Sequence, residues 1–60
     1  MPSRILLVED DPVFRELTAS TLEHAGYEVS VAENGARGLE MAKVESYHAI
    51  IVDLMMPRMH

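Results

Sequence analysis

The fold is decided by the stretch Ala49-Ile50-Ile51-Val52-Asp53, in which a continuous apolar run ends in a carboxylate. Short aliphatic runs are typical of the strands of parallel sheets. An earlier run, Ile5-Leu6-Leu7-Val8, ends in the acidic residues Glu9-Asp10-Asp11. If the two runs are neighbouring parallel strands, four carboxylates gather at one edge of the sheet and disfavour each other's ionised forms. A hard divalent cation, or chemistry on one carboxylate, would resolve that repulsion.

Helix and turn signals separate these apolar runs. Asp11-Pro12 predicts a helix start, because an aspartate can cap free amides and proline suits the first helical position. Gly26 predicts the end of that helix, and Asn34 predicts the cap of a second one. The predicted strands are therefore at about 4–8, 28–32 and 48–53, and the predicted helices at about 12–25 and 35–44.

The apolar residues of each helix predict the face that packs on the sheet. For the first helix they are Val13, Phe14, Leu17, Thr21, Leu22 and Ala25. For the second helix they are Ala36, Leu39, Met41 and Ala42.

The predicted fold is α/β, in the order β-α-β-α-β. Strands joined by crossover helices form parallel sheets, with right-handed connections and helices on both faces. The stretch 28–32 is only weakly apolar and suits an edge, which predicts the strand order 2-1-3. Ligands of such sheets bind beyond the carboxyl ends of the strands, where the strand order reverses. Glu9, Asp10 and Asp53 would lie at that point.

Composition limits the classes of function. Sixty residues, 48% of them hydrophobic, are expected to form one small domain. A net charge of −5 argues against nucleic-acid binding by this segment, which would need a basic patch. No apolar run approaches the roughly 20 residues of a membrane span. Met1-Pro2-Ser3-Arg4 leads directly into the first strand and leaves no room for a signal peptide. We therefore expect a cytoplasmic protein.

The acidic residue types favour magnesium-assisted phosphoryl chemistry. Carboxylates at two strand ends, with a backbone carbonyl from the following loop, suit Mg²⁺, which keeps several waters for other oxygens. An aspartate can act as the nucleophile that forms an aspartyl phosphate. Phosphoryl transfer depends mostly on positioning and electrostatics.

Two separated motifs resemble the receiver domain of two-component response regulators. They are Ile5-Leu6-Leu7-Val8-Glu9-Asp10-Asp11 and Ile50-Ile51-Val52-Asp53-Leu54-Met55-Met56-Pro57-Arg58-Met59. The resemblance covers essentially the whole chain, 1–60, as the amino-terminal half of a receiver. It implies a truncated form of the flavodoxin-like fold, for which receivers are a standard example.

The resemblance also implies roles for individual residues. Asp53 would be the phosphoacceptor, Asp10 a direct Mg²⁺ ligand, Glu9 a ligand through water, and Met55 the donor of a backbone carbonyl. Asp11 suits capping better than ligation. The implied partner is a histidine kinase that presents phosphohistidine, and the implied role is phosphorelay signalling. We therefore do not expect the chain to be an enzyme.

The family pattern has further residues that this sequence lacks. A receiver carries a Ser or Thr after strand 4 and a Lys after strand 5, whereas Lys43 is the only lysine here and lies on the second helix. We therefore expect impaired phosphotransfer in this half-length chain. An unpaired third strand would also invite another chain. The expected completion of the sheet is self-association as a homodimer, in which strand 3 pairs with strand 3′.

Alternative functions remain open at this point. The chain could be a self-associating assembly module without phosphotransfer. A haloacid-dehalogenase-like enzyme is weaker, because that family has an aspartate two residues after the first and position 55 is Met. A histidine metal site and a phosphate loop at Gly35-Ala36-Arg37-Gly38 are weaker still, the latter because it lacks the full glycine-rich pattern.

Overall fold

A computed structural model describes residues 2–53, in which strands and helices alternate along the chain. The elements are β1 (Arg4–Val8), α1 (Pro12–His24), β2 (Glu28–Ala32), α2 (Gly35–Val44) and β3 (Ala49–Val52). β3 is shorter than expected: His48 and Asp53 flank it, although the backbone N–H of each still donates to a β1 carbonyl. α1 ends one residue earlier than expected, because Ala25 is its C-cap.

The three strands form a parallel sheet in the order β2-β1-β3. Val8 of the central strand pairs with Ala32 on one side and with Val52 on the other. The predicted α/β fold and strand order are therefore confirmed. Because β1 is central, its carboxyl end and the following loop lie between the ends of both neighbours.

Local sequence signals set the helix ends. Asp11 caps α1, and its Oδ1 accepts hydrogen bonds from the N–H groups of Val13 at 2.8 Å and Phe14 at 3.2 Å. At the other end, Gly26 has φ of 100°, a left-handed conformation that favours glycine. The N–H groups of Gly26 and Tyr27 donate to the carbonyls of Glu23 and Leu22, which is the Schellman arrangement. Asn34 is the N-cap of α2, and its Oδ1 accepts a hydrogen bond from the N–H of Arg37 at 2.8 Å.

The core lies on β1 and on the side of the sheet that α2 covers. Ile5, Leu6, Leu7 and Val8 are buried together with Ala32, and Leu6 has no exposed surface. Leu6, Val8 and Ala32 form one cluster within this set, and Met41, Ala42 and Tyr47 pack against it. Gly38 is also buried, and a Cβ built there would lie 2.8 Å from Val8 Cγ2.

The predicted packing face of α2 was therefore only half right. Met41 and Ala42 lie inward as expected, but Leu39 is 59% exposed and Ala36 is exposed too. The small Gly38 lets the helix approach β1 closely, so the inward face is centred on Gly38 rather than on the larger apolar residues.

The predicted packing face of α1 was wrong in most positions. Its partly buried residues are Arg15, Thr18, Ala19 and Leu22, spaced by three or four as on one helical face. Val13, Phe14 and Leu17 are about 60% exposed instead. The apolar periodicity of α1 predicts that the helix has an apolar face. It does not predict whether the sheet within residues 2–53 is wide enough to cover that face.

β3 is the least covered strand of the sheet. All four of its residues are exposed, including Ile50 at 51% and Val52 at 47%. Within residues 2–53, β1 is the strand that pairs with it. No helix in this described part is long and apolar enough to cross a membrane.

Candidate functional site

The parallel register brings Glu9 and Asp53 to the same level at the carboxyl edge of the sheet. Each follows directly after the Val8–Val52 pair. The N–H of Glu9 donates to the Ala32 carbonyl at 3.0 Å, and the N–H of Asp53 donates to the Val8 carbonyl at 3.1 Å. Both residues are thus held by the sheet's own backbone, one position beyond its last regular pair.

Glu9 is buried although it is acidic, with 6% of its surface exposed. One carboxylate oxygen, Oε2, accepts a hydrogen bond from the N–H of Asp11 at 3.1 Å. That bond lowers the pKa of the Glu9 carboxyl. Desolvation, a hydrogen bond with the Asp53 side chain and the negative charges of Asp53 and Asp10 outweigh it and raise the pKa above its ordinary value of 4.5. The edge therefore holds its carboxylates close enough for them to disfavour each other's charged forms.

Asp10 and Asp11 take different places in the loop after β1. Asp10 is half-buried, and its negative charge is among those that raise the pKa of Glu9. Asp11 uses its carboxylate to cap α1, as the sequence predicts. Glu9, Asp10 and Asp53 are thus brought together, while Asp11 serves the helix. Met55, the fourth predicted ligand, lies outside the described residues.

A basic residue that sequence reasoning missed also reaches this edge. The guanidinium of Arg15 donates through Nη1 to the backbone carbonyl of Glu9, at 3.1 Å. The signal that could have found it is its position four residues after the Asp11 cap. A long side chain on the first turns of α1 can extend back to the strand end that the helix follows.

An open pocket of about 470 Å³ borders the acidic edge on the side of α1. Its lining is partly apolar and partly polar. The apolar residues are Leu7, Phe14 and Ile51, and the polar ones are Glu9, Asp11, Thr18 and Asp53. A group that arrives at Asp53 from this side would therefore meet a partly apolar surface.

The amino ends of the strands hold a second cluster, also missed, around Arg4. Its guanidinium is bonded to Glu45, lies 3.2 Å from a Glu28 carboxylate oxygen and stands 5.3 Å from the centre of the Tyr47 ring. The hydrogen bond with Glu45 contributes most to raising the pKa of Arg4 above its ordinary value. His48 accepts a hydrogen bond from the Arg4 N–H through Nδ1 at 2.8 Å, so its ring helps to hold the start of β1.

The acidic edge has the donor chemistry that Mg²⁺ prefers. Glu9, Asp10 and Asp53 offer carboxylate oxygens and no nitrogen or sulfur. Within residues 2–53, no group of three or more His, Cys, Asp and Glu side chains is placed so that it could hold a metal ion by itself. Mg²⁺ is usually held by only one or two carboxylates and completes its coordination with water, so the residues present fit this ion.

The chain belongs to the response regulator receiver domain family, whose model matches residues 5–60. The strand order β2-β1-β3 and the carboxylates beyond the carboxyl edge of the sheet agree with this family membership. The family membership is consistent with phosphorelay signalling.

Particular relatives show how widely this unit occurs. The chain is 39% identical over 59 residues to the response regulator MprA of Mycolicibacterium vanbaalenii, and covers 98% of itself and 26% of that protein. It is 38% identical over 60 residues to the transcriptional regulatory protein CrdR of Helicobacter pylori, and covers 28% of it. It is also 44% identical over 54 residues to hybrid signal transduction histidine kinase F of Dictyostelium discoideum, and covers 90% of itself and 5% of that protein.

A solved structure gives the same picture. The chemotaxis response regulator CheY4 of Vibrio cholerae superposes with a TM-score of 0.88 at 36% identity, over 98% of this chain and 49% of that one. The chain thus spans about half of that structure and about a quarter of MprA and CrdR.

Proposed function

We propose that this chain accepts a phosphoryl group on Asp53 with the help of Mg²⁺, as one step of phosphorelay signalling. The observation that carries the proposal is the parallel register, which sets Asp53 beside the buried Glu9 at the carboxyl edge. Desolvation raises the pKa of Glu9 there, and so do the hydrogen bond with the Asp53 side chain and the charges of Asp53 and Asp10. Repelling carboxylates gain most from a bound cation, and family membership supplies the chemical context.

Asp10, Asp53 and the backbone carbonyl of Met55 would hold the ion directly, and Glu9 would hold it through water. These assignments rest on the family resemblance and on the all-oxygen donor set. When bound, Mg²⁺ would offset the charge of the carboxylates and of the incoming phosphoryl group.

Asp53 is the nucleophile in the proposed step. One of its carboxylate oxygens attacks the phosphorus of a phosphohistidine, and the new O–P bond forms as the P–N bond breaks. The electron pair of the broken bond stays on the imidazole nitrogen, and Asp53 becomes an acyl phosphate. The donor would be a histidine kinase in the cytoplasm. The chain is modified in this reaction and is not an enzyme.

We expect a chain of these 60 residues to react more slowly than a complete receiver. A phosphoryl group on Asp53 brings further negative charge to an edge that already holds Glu9 and Asp10. Lys43 is the only lysine in the sequence and lies on α2. Charge stabilisation at the reacting oxygens is a large part of phosphoryl-transfer catalysis, so a missing cation slows the reaction.

The direct test is phosphorylation by acetyl phosphate or by a phosphorylated histidine kinase, with and without Mg²⁺. We expect intact-protein mass spectrometry to show the gain of one HPO₃ group, which depends on Mg²⁺ and is lost in Asp53→Asn. Asp11→Asn is the matched control, because asparagine also caps helices and the variant should keep the reaction. Equal labelling of the unmodified chain and Asp53→Asn would overturn the proposal.

A second candidate function, assembly without phosphotransfer, is favoured by the exposure of β3. Ile50, Ile51 and Val52 are 51%, 38% and 47% exposed. An exposed, apolar strand edge is a template for pairing with another chain. We propose that a second copy pairs antiparallel along β3 about a two-fold axis, which is the commonest symmetry of oligomers.

Sedimentation at micromolar concentration tests this assembly. A homodimer is expected for the unmodified chain and a monomer for Ile50→Lys, because a lysine blunts a strand edge. Val44→Lys is the control, since Val44 is 80% exposed on α2 and away from β3. A monomeric unmodified chain would exclude the homodimer and leave the phosphoacceptor proposal unaffected.

A further inference from the structure

Arg15 bonds to the acidic loop both through its side chain and through its backbone. Its guanidinium Nη1 donates to the Glu9 carbonyl at 3.1 Å. Its backbone N–H donates to the Asp11 carbonyl at 2.8 Å. The two carbonyls belong to the residues on either side of Asp10, so one residue of α1 brackets the peptide units that carry this carboxylate.

Other bonds restrain the same segment from other directions. The Glu9 N–H is tied to the Ala32 carbonyl of β2 at 3.0 Å, and the Asp11 N–H is tied to Glu9 Oε2 at 3.1 Å. The Arg15 side chain adds a third restraint, because it connects the Glu9 carbonyl to the first turns of α1. The segment 9–11 is thereby held between β2 and α1.

We propose that Arg15 is a positioning residue that fixes segment 9–11 so that Glu9 and Asp10 converge on the metal beside Asp53. The inference rests on the proposed function and deepens it. Partners that orient metal ligands typically change metal affinity 10–100-fold when they are removed, and Arg15 would orient the ligands through the backbone that carries them.

The helix itself has its own terminal interactions. Asp11 caps the amino end of α1, and the Gly26 turn closes its carboxyl end. Arg15 is half-buried and lines a pocket together with Val29 and Val31 of β2, so truncation to alanine would also remove apolar side-chain surface. Arg15→Met keeps an apolar stem of similar length and removes the hydrogen bonds and the charge.

The experiment compares Mg²⁺ binding in the full chain and its variants, followed by the ¹H–¹⁵N shifts of the Glu9, Asp10 and Asp11 amides. We expect the dissociation constant to rise roughly 10-fold or more in Arg15→Met. Arg15→Lys should recover part of the affinity, because it keeps the charge but loses the planar fork of donors. Arg37→Met is the matched control, since Arg37 pairs with Glu40 on α2 and should leave Mg²⁺ affinity unchanged.

Amide hydrogen exchange without metal separates this inference from the proposed function. In Arg15→Met the Asp10 and Asp11 amides should exchange faster, while the core amides of Leu6 and Leu7 keep their protection. Unchanged exchange at Asp10 and Asp11 would overturn the positioning role, and so would unchanged Mg²⁺ affinity. If the unmodified chain binds no Mg²⁺, the metal part of the proposed function and the role toward metal both fail, while faster exchange would still show that Arg15 holds the segment.

Discussion

β1 has charged groups at both of its ends, and the two ends compensate their charges differently. At the amino end, Arg4 is paired with Glu28 and Glu45 and stands over Tyr47. At the carboxyl end, Glu9 is buried. Desolvation, a hydrogen bond with the Asp53 side chain and the charges of Asp53 and Asp10 raise its pKa. The same sheet therefore carries one end where opposite charges meet and one where like charges meet.

This difference separates a structural cluster from a candidate functional one. Ion pairs between opposite charges at a surface stabilise a fold weakly, and they need no ligand to balance their charges. Like charges held together by backbone hydrogen bonds are unfavourable in the folded chain, and a cation or a proton relieves them. The contrast can be tested by substitutions along β1 and around its ends.

The largest loss of stability is expected from truncation of the most deeply buried residue of β1. Leu6 is completely buried in the middle of β1. Leu6→Ala should destabilise the fold by about 2–5 kcal/mol, because it removes buried methyl groups and leaves a cavity. Chemical denaturation measures this loss, and Leu39→Ala, at a residue 59% exposed, is the control. Similar denaturation midpoints for the two variants would contradict the assigned core.

The next effect concerns the packing beneath the carboxyl end. A Cβ at position 38 would lie 2.8 Å from Val8 Cγ2. A Cβ at position 35 would have more than 4 Å of space to the described atoms outside its own helix backbone and chain neighbours. Gly38→Ala should lose about 1–2 kcal/mol, since overpacking outweighs the gain in helix propensity. Gly35→Ala should be neutral or stabilising in the same thermal melt. Equal stability of the two variants would mean that Val8 moves aside freely.

A smaller effect, with a defined pH dependence, is expected at Glu9. Its pKa is raised in the folded chain, so the protonated carboxyl favours folding below the ordinary value of 4.5, and that stability is lost as pH rises through the folded pKa. Glu9→Gln should therefore raise the denaturation midpoint at neutral pH and flatten its fall with pH. Mg²⁺ should narrow the difference. A lower midpoint for Glu9→Gln at neutral pH would refute the repulsion at this edge.

The smallest effect is expected at the amino end. Arg4→Met keeps an unbranched apolar side chain. It removes the guanidinium that pairs with Glu28 and Glu45 and stands over the Tyr47 ring. A small loss of stability should follow, and it should shrink as salt screens the ion pairs of the unmodified chain. Arg37→Met, which breaks one exposed pair on α2, is the comparison. If the loss at Arg4 does not depend on salt, packing rather than charge accounts for it.

Much of the fold and part of the candidate site could be predicted from local signals. The strand order 2-1-3, the Asp11 cap and the meeting of Glu9 with Asp53 follow from apolar runs, turn residues and parallel pairing. The face of α1 could not be predicted in this way, because Val13, Phe14 and Leu17 form an apolar stripe that the described sheet does not cover. The roles of Asp53 and Met55 come from family resemblance and stay predictions.

The sequence by itself determined which elements form and where the carboxylates gather, because caps, glycine turns and apolar runs act over a few residues. Tertiary structure alone decided that Gly38 sets the approach of α2 to Val8 and that Arg15 reaches the Glu9 carbonyl. It also decided that Arg4 meets Glu45, 41 residues away. Such contacts depend on how helices settle on the twisted sheet, and this depends on the volume and reach of side chains that are distant in sequence.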